Sequence, residues 1–195
     1  LADETAAVDW PIPLERAILS DKDKAHPRMA EVTPFPAPAP VGRRALVTGA
    51  NGQLGRELMR ALPEAGFTVT GVDLPEVSIS DAEQVAALPW DDIDVVINAA
   101  AWTNVDGAET PEGRRATWQA NSTGPAVLAR EATAHGVTMV HISTEYVFDG
   151  TQDVHLEDEA PSPLGAYGQS KAGGDAAVAS TPKHYIVRTS WVVGD

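Results

Sequence analysis

The sequence predicts an α/β fold in which helices cover both faces of a doubly wound parallel sheet. From residue 43 onward, short apolar runs alternate with segments of helical periodicity, the order expected of repeated strand-helix units. One run, at 94–98, is almost continuously apolar, as strands buried on both faces of a parallel sheet usually are. A glycine-rich turn at 49–55 joins the first apolar run to the first helical segment, which indicates a Rossmann-like dinucleotide-binding domain.

The predicted strands recur at regular intervals along this region. They lie at 45–48, 67–72, 94–98, 137–143 and 185–189. Each is followed by enough chain for a helix or a loop, so the strands are expected to pair in parallel through right-handed crossovers.

The predicted helices fill the intervals between the strands. Leu54, Leu58 and Leu62 recur at four-residue spacing and predict the first helix, and Asp81 is a suitable N-cap for a short second helix ending near residue 88. Pro111 suits the first turn of a long helix that runs toward residue 135. That helix contains two weakening positions, Asn121 and Gly124, and a last helix is predicted at 167–179.

A proline-rich segment divides the chain into unlike regions. Between 34 and 42, proline alternates with small residues, which favours an extended, semi-rigid linker. Residues 1–33 carry too few apolar side chains to bury a core alone. The predicted organisation is therefore an N-terminal extension at 1–33, a linker at 34–42 and the Rossmann-like NAD(P)-binding domain at 43–195.

The composition limits the classes of partner. Lys and Arg number 14 against 28 Asp and Glu, a formal net charge of −14, so nucleic acid is an unfavourable partner for this surface. Cysteine is absent, which excludes disulfides and thiolate metal sites, and we assign no metal ligands. No apolar run approaches the roughly 20 residues that span a bilayer. We therefore expect a cytoplasmic protein without a membrane partner.

The glycine-rich turn predicts the phosphate-binding part of the cofactor site. Its glycines are Gly49, Gly52 and Gly55, and the G-x-x-G-x-x-G spacing is typical of extended short-chain reductases. Backbone N–H groups at the start of the following helix would hold the pyrophosphate. A bare structural turn is the alternative, and the strand before the turn and the helix after it favour the cofactor. The turn residues assigned to the cofactor are Gly49, Asn51, Gly52, Gln53, Leu54 and Gly55.

Asp73 ends the second predicted strand, about 20 residues after the turn, where an acid can bond the adenine-ribose hydroxyls. That position favours NAD over NADP, whereas capping of a local turn with Leu74 and Pro75 is the alternative. Arg56 and Arg44 are cations that could meet a 2′-phosphate. The cofactor is therefore expected to be NADPH or NADH, without a choice between them.

Tyr167 and Lys171 are the predicted catalytic pair. They lie four residues apart on a predicted helix, so their side chains share one face. The phenol has an ordinary pKa near 10, and the Lys171 ammonium and an oxidised nicotinamide are expected to stabilise its ionised form. In the reduction direction Tyr167 would supply its proton to the developing alkoxide. Such a pair also arises by chance in helices.

The third catalytic candidate, Thr144, makes chance less probable because it ends the fourth predicted strand. At that edge of a parallel sheet it can hydrogen-bond a substrate oxygen. For Ser143 and Thr144 the alternative is bonding to the backbone at the strand end. For Tyr146 and Phe148 we favour core packing. The small residues Ala99, Ala100 and Ala101 end the third strand at the same edge and leave room for the nicotinamide half of the cofactor.

With these motifs assembled, residues 43–195 resemble the dTDP-4-dehydrorhamnose reductases, extended short-chain dehydrogenases of nucleotide-sugar biosynthesis. The resemblance rests on the segments 48–55, 96–103, 141–150, 167–171 and 188–191. It implies that Gly52, Gln53 and Leu54 contact the cofactor diphosphate, Asp73 the ribose, Ser78 and Ile79 the adenine region, and Ala101 to Thr103 the nicotinamide side. It also implies that Thr103, Thr144, Glu145 and Trp191 face a dTDP-sugar substrate.

The chain departs from the family pattern at several positions. Glu145 stands where the family usually has Asp, Trp102 where it has a smaller aromatic or His, and Ser78 where an Asp often holds the adenine. The family also continues into a smaller substrate domain, which this chain largely lacks. The fragment is therefore expected to bind cofactor without useful catalysis.

The N-terminal region has a second, weaker resemblance. The segments 8–12 and 19–23, followed by Pro27, are similar to the C-terminal tail of dTDP-4-dehydrorhamnose 3,5-epimerase. This suggests a fusion to an upstream epimerase domain joined by the proline-rich linker. An arbitrary extension is the alternative.

The leading function is NAD(P)H-dependent reduction of the C4 ketone of dTDP-4-dehydro-L-rhamnose. A sugar-nucleotide epimerase or dehydratase of the same superfamily would recycle a bound cofactor instead of consuming it. A regulatory subunit would bind the dinucleotide without turnover, although it would have no chemical need for both Tyr167 and Lys171. A homo-oligomer is compatible with each of these.

Overall fold

Five parallel strands form the central sheet of this computed structural model, which describes residues 42–190 and Val192. The strands are β1 Arg44–Thr48, β2 Thr68–Val72, β3 Val95–Asn98, β4 Thr138–Thr144 and β5 His184–Thr189, in the spatial order β2-β1-β3-β4-β5. The predicted doubly wound parallel sheet is confirmed. The predictions for residues 1–33, for 34–41 and for Trp191 lie outside the described residues, and the domain boundaries stay predictions.

Five α-helices connect the strands and cover the sheet. They are α1 Gln53–Glu64, α2 Ala82–Ala86, α3 Pro111–Trp118, α4 Gly124–His135 and α5 Ala166–Ala179. Leu46, Val96 and Met139 from three adjacent strands are fully buried, and Leu128 from α4 and Val178 from α5 join the same core. Since β1 has β2 on one side and β3 on the other, the chain changes direction at β1. Parallel sheets bind ligands beside such a reversal, at the carboxyl ends of the strands.

The short helix α2 begins as the sequence predicts. The Asp81 carboxylate accepts hydrogen bonds from the N–H groups of Glu83 at 3.0 Å and Gln84 at 3.1 Å. These bonds satisfy two donors that a helix start otherwise leaves open. The helix ends at Ala86, two residues before the predicted end.

The long helix predicted from Pro111 to His135 is interrupted. A single π-helical turn at Gln119–Thr123 separates α3 from α4. Pro125 has no N–H to donate to the Asn121 carbonyl four residues earlier, so the regular ladder fails there and the helix widens. The weak positions Asn121 and Gly124 mark the place of the interruption, and Pro125 supplies its cause.

Membrane-spanning helices and clusters of metal-ligating side chains are both absent from the part of the chain that the structure describes. No helix there is long and apolar enough to cross a membrane. Nor do three or more His, Asp or Glu side chains group there as metal ligands.

Candidate active site

The glycine-rich turn packs against the end of β3 with no room for side chains. Gly49 has φ +70°, and a Cβ there would lie 2.6 Å from the Ala100 nitrogen and 2.9 Å from the Ala99 carbonyl carbon. A Cβ on Gly55 would overlap the Gly49 carbonyl oxygen. Gly52, the N-cap of α1, has no side chain to bond the N–H groups of the first helical turn. The turn is therefore shaped as a backbone site for an anion.

A cavity of about 400 Å³ opens beside this turn, at the reversal between β1 and β3. Eight of the predicted cofactor residues line it: Gly49, Gly52, Asp73, Ser78, Ile79, Ala99, Ala100 and Ala101. Trp102 lines it too, beside Ala116, Gln119 and Ala120 of the interrupted helix. The loops after β1, β2 and β3 thus converge on one crevice, and its glycine-walled, uncapped end suits a dinucleotide diphosphate.

Asp73 links the second strand to the glycine-rich turn. Its carboxylate accepts hydrogen bonds from the N–H groups of Asn51 and of Leu74, each at 2.8 Å. The bond to Leu74 is the local capping that the sequence left as an alternative. The bond to Asn51 spans 22 residues, and the carboxylate also lines the crevice. Asp73 therefore both caps its own loop and faces the cofactor site.

The two arginines offered for a 2′-phosphate have different positions. The Arg56 guanidinium donates to the Asn51 carbonyl at 2.7 Å, which places it beside the glycine-rich turn. Arg44 is the first residue of β1 and lies at the end of the strands opposite the crevice. It pairs there with Asp92 at 2.5 Å and Asp94 at 3.6 Å. The prediction for Arg44 was wrong, because a strand separates it from the crevice and two carboxylates hold it.

Exchange of Asp73 for asparagine is expected to shift the cofactor preference. The amide keeps one acceptor oxygen for the N–H groups of Asn51 and Leu74 and loses the charge that repels a 2′-phosphate, so the ratio of NADPH to NADH affinity should rise by about tenfold. Fluorescence titration with each cofactor measures the ratio. Glu76→Gln, an exposed acid in the same loop, is the matched control. Equal changes for NADH and NADPH would show that Asp73 does not discriminate between them.

Tyr167 and Lys171 lie on α5, one turn apart. The Lys171 ammonium is buried and donates to the Ile142 carbonyl of β4 at 2.6 Å, and burial lowers its pKa to about 8. Tyr167 is half-buried, and its ring lies edge-on to Tyr146 with centroids 5.7 Å apart. Burial and the charge of Glu145 raise the pKa of Tyr167. The chain alone does not lower this pKa, so the lowering predicted for Lys171 together with an oxidised nicotinamide stays a prediction.

Thr144 and Glu145 stand together at the end of β4. The Thr144 hydroxyl donates to the Glu145 carboxylate at 3.1 Å and accepts from the Tyr146 N–H at 3.2 Å. The strand-end bonding that was an alternative role for Thr144 is thus present. Glu145 also contributes to the raised pKa of Tyr167, so Thr144, Glu145 and Tyr167 form one group at the end of β4.

The two aromatics that follow differ from each other. Phe148 is buried, between the Arg188 guanidinium 5.3 Å from its ring centroid and the stacked ring of His155. Tyr146 is 48% exposed, so the expected core packing was wrong for it. The short helical turn at Glu145–Val147 carries Tyr146 outward, toward Tyr167.

Asn121 has a role that the sequence did not reveal. Its amide oxygen accepts from the Trp102 N–H at 2.8 Å, and its amide nitrogen donates to the Trp102 carbonyl at 3.0 Å and the Ser170 hydroxyl at 3.1 Å. Asn121 therefore ties the loop after β3 to α5, the helix that carries Tyr167 and Lys171. The sequence showed only a weak helical position, since its partners lie 19 and 49 residues away.

A buried polar series across the sheet was also missed. The Thr48 hydroxyl donates to the Asn98 amide oxygen at 2.7 Å, and the Asn98 amide nitrogen lies 3.0 Å from His141 Nδ1. His141 Nε2 is 3.7 Å from the Asp175 carboxylate, which accepts from Arg188 at 3.3 Å. Each of Thr48, Asn98 and His141 sits within a run otherwise expected to be apolar core, so periodicity alone concealed them.

The buried imidazole of His141 makes the free energy of unfolding depend on pH. Burial lowers its pKa to about 3, with the Lys171 charge as the second cause, whereas the unfolded chain takes up this proton near pH 6.5. As pH falls from 6.5 toward 3, the unfolded state binds the extra proton and stability decreases by at most about 1.4 kcal/mol per pH unit.

Urea unfolding at pH 7 and pH 5 should therefore show a loss of about 2 kcal/mol from this residue. In His141→Gln, which keeps an acceptor for Asn98 but cannot titrate, that part of the pH dependence should vanish. An unchanged slope between pH 7 and pH 5 in the variant would contradict the assignment.

Two features of this site are typical of the short-chain dehydrogenases and reductases that bind NAD(P). They are the crevice beside a glycine-rich turn and the helix α5, which carries Tyr167 and Lys171. The family described as "RmlD substrate binding domain" matches residues 43–195, and the chain belongs to it. The chain spans about half the length of the curated relatives it matches.

Three similar proteins indicate the range of the family. A dTDP-4-dehydrorhamnose reductase from Aggregatibacter actinomycetemcomitans is 39% identical over 160 residues, covering 78% of this chain and 52% of that protein. The spore coat polysaccharide biosynthesis protein SpsK of Bacillus subtilis is 40% identical over 155 residues, covering 77% and 54%. The structure of dTDP-4-dehydrorhamnose reductase from Bacillus anthracis, in complex with NADP, superposes with a TM-score of 0.75 at 34% identity, covering 80% and 56%.

Proposed function

We propose that this chain is the cofactor-binding half of a reductase that converts the C4 ketone of dTDP-4-dehydro-L-rhamnose to the alcohol of dTDP-L-rhamnose. The observation that carries the proposal is the crevice beside the glycine-rich turn, at the carboxyl ends of β1 and β3, together with the group formed by Tyr167, Thr144 and Glu145 at the carboxyl end of the neighbouring strand β4. The similarity to proteins named dTDP-4-dehydrorhamnose reductase supports the choice of substrate.

The residues of the crevice fit NADPH or NADH. The N–H groups at Gly52, Gln53 and Leu54 would hold the diphosphate, and Asp73 the adenine ribose. Ser78 and Ile79 would face the adenine, and the small residues at 99–101 with Thr103 the nicotinamide side. The nicotinamide, when bound, supplies the hydride that reduces the carbonyl carbon.

Tyr167 is proposed as the proton donor to the carbonyl oxygen. As the oxygen becomes an alkoxide, a phenol held nearby can transfer its proton, and the raised pKa keeps that proton available at neutral pH. Lys171 adds positive charge on the same helix face. Thr144 and Glu145 would hydrogen-bond the sugar, and Thr103 and Trp191 stay proposed substrate contacts.

The test uses the full-length protein with dTDP-4-dehydro-L-rhamnose and NADPH. A reductase consumes one reduced nicotinamide for each substrate molecule converted, which absorbance and product chromatography measure together. Conversion without net consumption would replace the proposal with an epimerase or dehydratase that recycles its cofactor. Tight dinucleotide binding by calorimetry without any conversion would replace it with a regulatory subunit.

A further inference from the structure

We propose that Asp175 is a positioning residue for Lys171, and that its buried carboxylate ties the catalytic helix to a polar series running from the cofactor crevice to β5. The proposal rests on the proposed function, since it concerns the lysine of the catalytic pair. It names a residue that has no place in the chemistry itself.

Asp175 lies on α5 one turn beyond Lys171 and two turns beyond Tyr167. Its side chain is only 4% exposed, and its carboxylate accepts from the Arg188 Nε of β5 at 3.3 Å. A carboxylate is costly to bury, and a helix packed on a sheet does not need one for its core. Burial raises the pKa of Asp175, while the charges of Arg188 and Lys171 oppose that rise. Two positive charges, on Arg188 and on Lys171, therefore favour the ionised form of the carboxylate.

The orientation of His141 follows from the bonds of Asn98. The Asn98 amide oxygen accepts from the Thr48 hydroxyl at 2.7 Å and from the Ala100 N–H at 3.2 Å, so its amide nitrogen must face His141. That nitrogen donates to His141 Nδ1, and the hydrogen of the neutral imidazole is therefore on Nε2. Nε2 points toward Asp175 Oδ1, 3.7 Å away. At 3.7 Å the two atoms are not hydrogen-bonded, so His141 is a neutral neighbour of the carboxylate and not a competing charge.

Lys171 depends on Asp175 because few other groups favour its charge. The ammonium has the Ile142 carbonyl as its hydrogen-bond partner, and burial lowers its pKa to about 8 while the Asp175 charge acts against this lowering. The titratable and charged groups around it are His141 on β4, Tyr167 and Asp175 on α5, and Arg188 on β5, which acts through Asp175. Without the carboxylate, the burial of the ammonium would no longer be opposed by a negative charge one helical turn away.

The same series connects Lys171 with the cofactor crevice. Thr48 precedes Gly49 of the glycine-rich turn, and the Asn98 amide oxygen also accepts from the N–H of Ala100, which lines the crevice. Because the 3.7 Å step between His141 and Asp175 is not a hydrogen bond, a change at Asp175 is expected to alter the behaviour of Lys171 while the phosphate-binding turn stays intact.

The experiment measures the titration of Lys171 directly, without substrate. The sequence contains four lysines, so carbon-13 labelling of lysine gives few NMR signals, and Lys171→Arg assigns the one of interest. In Asp175→Asn the midpoint for Lys171 is expected to move to lower pH, and in Asp175→Glu it should stay close to that of the unchanged chain. Asp175→Ser, which removes the carboxylate with a smaller side chain, should move the midpoint to lower pH as Asp175→Asn does.

Turnover in the full-length protein provides the second measurement. The alkaline fall of kcat should move to lower pH in Asp175→Asn, with kcat at pH 8 reduced about threefold to tenfold and with the dissociation constant for NADPH nearly unchanged. Asp91→Asn, a surface acid that pairs only with His135 in the described residues, controls for net charge.

The possible results separate the two proposals. An unchanged Lys171 midpoint in a folded Asp175→Asn would overturn the role of Asp175, and a lower melting temperature alone would make that residue merely structural. If Asp175→Asn does not fold, Asp175→Ser decides: an absent or upward shift of the Lys171 midpoint there overturns the proposal. Failure of the proposed function would appear separately, as absent net NADPH consumption by the unchanged protein.

Discussion

Tyr167→Phe is expected to reduce kcat for ketone reduction by about 10²- to 10⁴-fold, the usual contribution of a positioned general acid. The substitution removes one oxygen and keeps the ring that packs against Tyr146 at a centroid distance of 5.7 Å. Folding and cofactor affinity should therefore change little. Steady-state kinetics of the full-length protein, with NADPH affinity measured by fluorescence, test both parts of the expectation.

Tyr146→Phe is the matched control for this result. Tyr146 is a neighbouring phenol, 48% exposed, on the turn that follows β4. Its loss should cost much less activity than the loss of Tyr167, because it is not on the helix that carries Lys171. If the two variants lost activity equally, the proton donor would not be assigned to Tyr167, and unchanged turnover in Tyr167→Phe would refute its catalytic role.

The pH dependence of turnover gives an independent check on this assignment. Since the pKa of Tyr167 is raised from its ordinary value near 10, the phenol stays protonated through the neutral range. Lys171, with a pKa of about 8, is the group of the pair expected to titrate first as pH rises. We therefore expect the alkaline fall in activity to begin with the loss of the ammonium charge.

Local patterns were sufficient to predict the sheet and the phosphate-binding turn. A buried parallel strand is apolar on both faces, so β1 and β3 stand out in any reading of the chain, and the glycines between β1 and α1 mark a turn that only they can form. The cap of α2 at Asp81 was equally local, because an N-cap bonds groups two and three residues away.

Features that depend on distant partners were not predictable in the same way. The break between α3 and α4 needs Pro125, whose effect is felt four residues earlier. Arg44 was misplaced because its charge was considered without the end of β1 at which it lies, and because its partners Asp92 and Asp94 are distant in the sequence. The series through Asn98, His141 and Asp175 consists of polar groups that become partners only when three elements are packed together.

Gly55→Ala is expected to be the most damaging substitution in the cofactor site. A Cβ at this position would overlap the Gly49 carbonyl oxygen and approach the Ala50 Cα to 2.8 Å. These are backbone atoms, which cannot rotate away, so α1 must separate from the turn that it closes. We expect the free energy of unfolding to fall by about 3 kcal/mol or more.

The same substitution should weaken NADPH binding by at least about tenfold, because the N–H groups that face the diphosphate belong to the displaced helix. Gly136→Ala is the control: Gly136 ends α4 with φ +67°, and an added Cβ there meets nothing within 4 Å. Its cost should be limited to the about 1–2 kcal/mol of a left-handed alanine, with cofactor affinity unchanged. Gly55 lies inside α1 without a left-handed φ, so a loss at Gly55 no larger than that at Gly136 would contradict the close approach of α1 to the turn as the reason for the glycine at position 55.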